Sequence, residues 1–87
     1  MNPDTLDLNL LRVLDAVLAS HSLTRAAERL HVTPPAISNA MARLRELYGD
    51  PLLVRHGRTM QPTPLAQALA PRVAQAMAAA RDRKSTR

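Results

Sequence analysis

The side chains of this 87-residue chain that could do chemistry are hydrogen-bonding groups and cations. There is no cysteine, so neither a disulfide nor a thiolate metal site is available. His21, His31 and His56 show no metal-ligand spacing, and no Ser, Asp and His grouping reads as a catalytic triad. What stands out is Thr33-Pro34-Pro35-Ala36-Ile37-Ser38-Asn39 with Arg43 one helical turn on. Arg25 and Arg29 precede it, and Arg55 and Arg58 follow. Short hydroxyl and amide side chains can meet base edges, and guanidinium groups can neutralise phosphates. That chemistry is recognition of a polyanion. No catalytic residue, metal or cofactor is expected.

The charge is placed to match. The net charge is +5. Residues 1–21 carry −2, residues 22–63 carry +3 and residues 64–87 carry +4. Positive charge therefore begins where the candidate reading segment begins, which suits a phosphate backbone and equally fits a solvated basic face. The hydrophobic fraction of 46% supports a real core. With no Trp, no Phe and one Tyr, that core must be aliphatic. The N-terminus lacks a basic segment ahead of an apolar run, and no run approaches the roughly 20 residues needed to span a bilayer. A cytoplasmic protein with no membrane partner is expected.

Five segments would position these residues. From about Asp7 to Ala19, Leu10, Leu11, Leu14, Val17 and Leu18 recur at helical spacing, with Asp4 or Asp7 available as a cap. A second helix runs from Ser22 or Thr24, as alternative caps, to Leu30, and its adjacent Ala26 and Ala27 would let another helix approach closely. His31 then falls where a tight turn needs a positive φ, so it is expected in the left-handed region as a turn residue. A third helix starts on Thr33 as cap with Pro34 as its first residue, carries Ile37, Met41, Leu44 and Tyr48 as one apolar stripe, and stops at Gly49. Leu52-Leu53-Val54 and Thr59-Met60-Gln61 around His56-Gly57-Arg58 read as a two-stranded hairpin. Thr63 and Pro64 open a long helix to about Arg83, with a kink expected at Pro71. Its stripe Leu65, Leu69, Val73, Met77 and Ala80 exceeds what one small domain needs and is expected to pack on a partner at least in its second half.

The fold class is thus mainly α. It is a winged helix-turn-helix of three helices and a two-stranded wing over residues 1–63, then a linker or dimerisation helix over 64–83 and a frayed basic tail over 84–87. In order and motif this closely resembles the N-terminal DNA-binding domain of LysR-type transcriptional regulators, over about residues 6–80. The matching elements are Asp7-Leu8-Asn9-Leu10-Leu11, Thr24-Arg25-Ala26-Ala27-Glu28-Arg29-Leu30, Val32-Thr33-Pro34-Pro35-Ala36-Ile37-Ser38 and Thr63-Pro64-Leu65. Leu44 to Gly49, followed by Asp50-Pro51-Leu52-Leu53-Val54-Arg55, looks most like the branch that includes nodulation regulators.

The resemblance implies a bacterial regulator that binds double-stranded DNA as a homodimer. Its long helices would pair and its recognition helices would enter successive major grooves. Any small-molecule effector would act only through a C-terminal domain absent from these residues, so the chain looks like a fragment or an isolated module. By the family's pattern Pro34, Pro35, Ser38 and Asn39 occupy the contacting start of the recognition helix, with Arg43 along it. Arg55 and Arg58 would face the minor groove or its phosphates. Many relatives carry Gln where Pro34 stands, so base reading is expected to shift to Ser38 and Asn39. Arg25, Arg29, Arg43, Arg55 and Arg58 would hold phosphates and set the register. The alternative from a different class is a helical interaction module with incidental basic charge.

Overall fold

The computed structural model describes residues 8–85, with side chains described for residues 8–80. The expected caps Asp4 and Asp7, and the tail residues Thr86 and Arg87, lie outside the described residues. The elements run α1 (Leu8–Ser20), α2 (Leu23–Leu30), α3 (Pro34–Tyr48), β1 (Leu53–His56), β2 (Thr59–Pro62) and α4 (Pro64–Ser85). α4 continues through Pro71 as one element and includes Lys84 and Ser85, two residues beyond the expected stop. The molecule measures 46 Å along its longest axis, against 27 and 23 Å across.

Each helix boundary has a local cause. α1 ends where His21 takes φ 57, its N–H reaching Val17 O at 2.7 Å. Ser22 then caps α2, its hydroxyl accepting the Arg25 N–H at 3.1 Å. At the other end of α2, His31 sits at φ 58, ψ 44. Its N–H reaches Ala27 O and Glu28 O, and the Val32 N–H returns to Ala27 O at 3.0 Å, closing a Schellman turn. The positive φ expected at His31 is therefore present. His21 uses the same device at the end of α1, where the sequence reading had placed none. Left-handed backbone costs a residue with a Cβ about 1–2 kcal/mol, so both turns are held by the packing around them.

The core lies between α1, α2 and α3, with α4 laid along α1. Leu14, Val17, Ile37, Met41, Leu44 and Leu52 are fully buried, and burying such a side chain contributes about 1.5–3 kcal/mol. Ala26 and Ala27 are buried between α2 and its neighbours, where a larger side chain would hold the helices apart. α3 turns Ile37, Met41 and Leu44 inward, leaving Pro35, Ser38, Asn39, Ala42, Arg43 and Glu46 on the open side.

The wing is a two-stranded antiparallel sheet pairing Leu53 with Pro62, Val54 with Gln61, Arg55 with Met60 and His56 with Thr59. Gly57 and Arg58 form its two-residue loop. Positive φ falls only on Gly57 (φ 67), the first loop position, as in a type II′ turn. At the base of the wing Leu53 N–H reaches back to Pro51 O at 2.7 Å across Leu52, which stands at φ 68. That is the rare positive-φ form of the γ-turn, here on a bulky buried residue. Such a conformation costs about 1–3 kcal/mol and persists only where the surroundings over-determine it.

Candidate nucleic-acid interface

Two open surfaces carry the residues singled out in the sequence. The first is the outer face of α3. Thr33 caps it, its hydroxyl accepting the Ala36 N–H at 3.3 Å, while Ile37 N–H returns to Thr33 O at 3.1 Å. Pro34 and Pro35 have no N–H to offer. The first turn of α3 therefore presents no unpaired backbone donor, and whatever it recognises must be met by side chains. Thr33, Pro34, Pro35, Ser38, Asn39 and Arg43 are all exposed along this edge. Asn39 and Arg43 also border a shallow groove of about 300 Å³ between α3 and α1, opposite Asn9 and Arg12.

The second surface is a cleft of about 830 Å³ between the start of α2 and the wing. Ser20, His21, Ser22, Leu23, Thr24 and Arg25 form one wall, and Arg55, Arg58, Thr59, Met60 and Gln61 the other. Strand pairing explains the second wall. Arg55 shares a sheet face with Leu53 and Met60, so the face that anchors the wing to the core also carries a cation over the cleft. On the first wall, the helix end offers its N-terminal N–H groups. Arg25 N–H is satisfied by the cap, whereas Leu23 and Thr24 occupy the two positions that a helix leaves unpaired. A positive helix end facing two arginines is a good environment for an anion.

The ten expected nucleic-acid residues thus divide. Ser38, Asn39 and Arg43 share the α3 face, and Arg25, Arg55 and Arg58 share the cleft. Arg29 is not among the cleft residues; it lines a separate depression with Ala19, Ser20, Glu28 and the other side of Arg25. Sequence reasoning passed over His21, Thr24 and Gln61 as cleft residues and Arg12 as a neighbour of Asn39. His21 had a readable signal, the one that marked His31: a polar residue directly after a helix. For the others, only strand and helix packing brings them in. Among the described residues no group of His, Cys, Asp and Glu could hold a metal ion. No helix among them is long and apolar enough to cross a membrane.

The stripe on α4 is divided as well. Leu65 is 36% exposed, while Val73 and Met77 are 4% and 9% exposed. Leu69 and Ala80 are half-buried. Val73 is thus part of the chain's own core, because α4 lies along α1, and Met77 is buried one turn further on. The flank still open runs through Leu65, Leu69, Ala76 and Ala80, at one-turn or two-turn spacing.

Three helices, a wing and an exposed third helix define a winged helix-turn-helix. A family model described as "Bacterial regulatory helix-turn-helix protein, lysR family" matches residues 8–67, and the chain belongs to that family. It is 51% identical over 72 residues to Nodulation protein D 1 of Rhizobium meliloti (strain 1021), a match covering 83% of this chain and 23% of that protein. The chain thus spans under a quarter of the length of this curated relative. Among solved structures, a probable transcriptional regulator from Pseudomonas aeruginosa superposes with a TM-score of 0.83 at 43% identity, covering 88% of this chain and 26% of that one. The BenM_DBD/catB site 1 DNA complex superposes equally well, with a TM-score of 0.83 at 28% identity, covering 92% of this chain and 90% of that one. The resemblance inferred from the motifs, that to the nodulation-regulator branch included, is therefore shown.

Proposed function

We propose that this chain is the sequence-specific, double-stranded-DNA-binding module of a bacterial transcriptional regulator. The observation that carries the reading is the start of α3. It is open to solvent, capped from within and stripped of backbone donors, so its side chains alone are presented to a groove. Ser38 and Asn39 read base edges, Asn39 by a bidentate contact to adenine, while Pro34 and Pro35 fill space against the groove wall. Arg43 takes a phosphate along the helix. In the cleft, one backbone strand runs between the α2 end and the wing, held by Arg25, Arg55 and Arg58. Arg29 meets a phosphate further out on α2. These phosphate contacts fix register and carry no sequence information.

Two copies pair through α4, along the flank of Leu65, Leu69, Ala76 and Ala80, with Val73 and Met77 behind it. A two-fold dimer would place its reading heads about 34 Å apart, or a multiple of that, on successive major grooves. The BenM_DBD/catB site 1 DNA complex, a similar fold in a complex with DNA, supports the DNA-binding part of this reading. Effector response, on this reading, belongs to a domain C-terminal to α4, and the working compartment is the cytoplasm.

Selection of bound duplexes from a random pool tests the proposal, followed by salt titration of the selected site. A palindromic motif and a steep fall of affinity with salt are expected. Arg58→Ala should weaken selected and random duplexes alike and reduce the salt slope by about 1. No enrichment, with a slope near zero, would favour an interaction module whose basic charge is incidental.

A further inference from the structure

The base of the wing holds a hydrogen-bonded network for which DNA contact has no direct use. Asp50 Oδ1 accepts the Leu52 N–H at 2.7 Å and the Thr63 hydroxyl at 2.8 Å. The Thr63 oxygen in turn accepts the Ala66 N–H at 3.1 Å, in the first turn of α4. The proton count is consistent. The single hydroxyl hydrogen goes to the carboxylate, which turns an oxygen lone pair toward α4. The Thr63 N–H meets Leu52 O at 3.0 Å, so Leu52 is held through both its backbone groups. On the far side, Asp50 N–H reaches Arg45 O at 3.3 Å, and Arg45 Nε reaches Pro51 O at 3.1 Å. Asp50 therefore meets the last turn of α3 through its backbone, while its carboxylate ties Leu52 to the cap of α4 on either side of the first wing pair, Leu53 and Pro62. Leu52 is fully buried at φ 68. A strained, over-determined backbone beside a functional element is a reason to look for a positioning role.

We propose that Asp50 is a positioning residue for DNA binding. It sets the wing, with Arg55 and Arg58, and the exit of α4 in fixed relation to the reading face of α3. Without it, Leu52 loses the one side-chain bond among the contacts that hold it left-handed, and the turn is freer to relax into an ordinary extended conformation. The wing then swings on its base, and its two arginines no longer meet the same strand as Arg25 while α3 is seated in the groove. The role rests on the DNA-binding reading above.

The test compares Asp50→Ala with Asp50→Asn. Both remove the same negative charge, so any general electrostatic gain on DNA cancels between them. Only Asn keeps an acceptor oxygen for Leu52 N–H and the Thr63 hydroxyl. Affinity for a mixed-sequence duplex is measured against salt for both and for wild type, with helix content followed by circular dichroism. Asp50→Ala should lower the slope by about 2, the share of Arg55 and Arg58. Adding Arg58→Ala to it should then change little, whereas Arg58→Ala alone costs about 1 in slope. Asp50→Asn should stay near wild type.

A folded Asp50→Ala with reduced thermal stability and an unchanged slope would overturn the role and leave the DNA reading standing. A flat slope in the wild type would remove both. Amide exchange in the wild type supplies a measurement free of variants, in case Asp50→Ala does not fold. Leu52 and Thr63 amides should exchange as slowly as those of Met41 and Leu44 in α3. Exchange as fast as Gly57 at the wing tip would overturn the proposal.

Discussion

The chain contains Thr-Pro twice at a helix start, at Thr33-Pro34 and at Thr63-Pro64, and the two copies have opposite fates. Both threonines cap in the same way, Thr33 accepting from Ala36 N–H and Thr63 from Ala66 N–H. Thr33 is exposed, and its helix end is the open edge of the molecule. Thr63 is 8% exposed, and its hydroxyl also donates to Asp50. One local device thus serves a free end that can enter a ligand and a locked end that anchors a long helix. The difference teaches that a cap sets where a helix begins, while its surroundings set whether that beginning is available.

The sharpest way to break this comparison is to remove both hydroxyls in turn. Thr63→Val should destabilise by about 2–4 kcal/mol. It deletes the α4 cap and leaves a part-buried Asp50 oxygen short of a donor. Urea unfolding measures it, and a loss no larger than that of Thr33→Ala would show that the two caps are equivalent. Next comes function at the open end. Asn39→Ala should cost roughly 1–3 kcal/mol on a selected duplex and little on random DNA, by competition binding. Equal losses on both would make Asn39 a phosphate contact. Thr33→Ala should cost only about 1 kcal/mol of stability, since its hydroxyl is solvated and nothing else depends on it. The smallest effect is at the turn that aims α3. His31→Gly should raise stability by about 0.5–1 kcal/mol, because glycine takes φ 58 without steric cost. A lower melting temperature would show that the His31 side chain does more than occupy the turn.

Much of this was legible in the residues. The helix starts at Thr33 and Thr63, the stop at Gly49, the left-handed turn at His31 and the hairpin around Gly57 each depend on neighbours within a few positions, so their chemistry is written locally. The polar, exposed face of α3 was legible for the same reason, through its period of 3.6. The second αL histidine, His21, obeyed a rule already in hand and was missed. Leu52 could not have been foreseen, because no propensity favours a buried leucine at positive φ. The cleft was legible only in part. Arg25, Arg55 and Arg58 were named singly, but their meeting across the groove depends on where packing sets the wing opposite the start of α2.

Taken alone, the order of residues determined which segments are helices, where each is capped and which face of α3 is polar, because hydrogen bonds to a cap or turn span three or four positions. Packing decided which Thr-Pro end is sealed, that Val73 and Met77 face inward, and that Asp50 meets Thr63 across a separation of 13 positions. Contacts between residues so far apart exist only once the core has formed, since burial of Leu14, Met41 and Leu44 is what brings their backbones together.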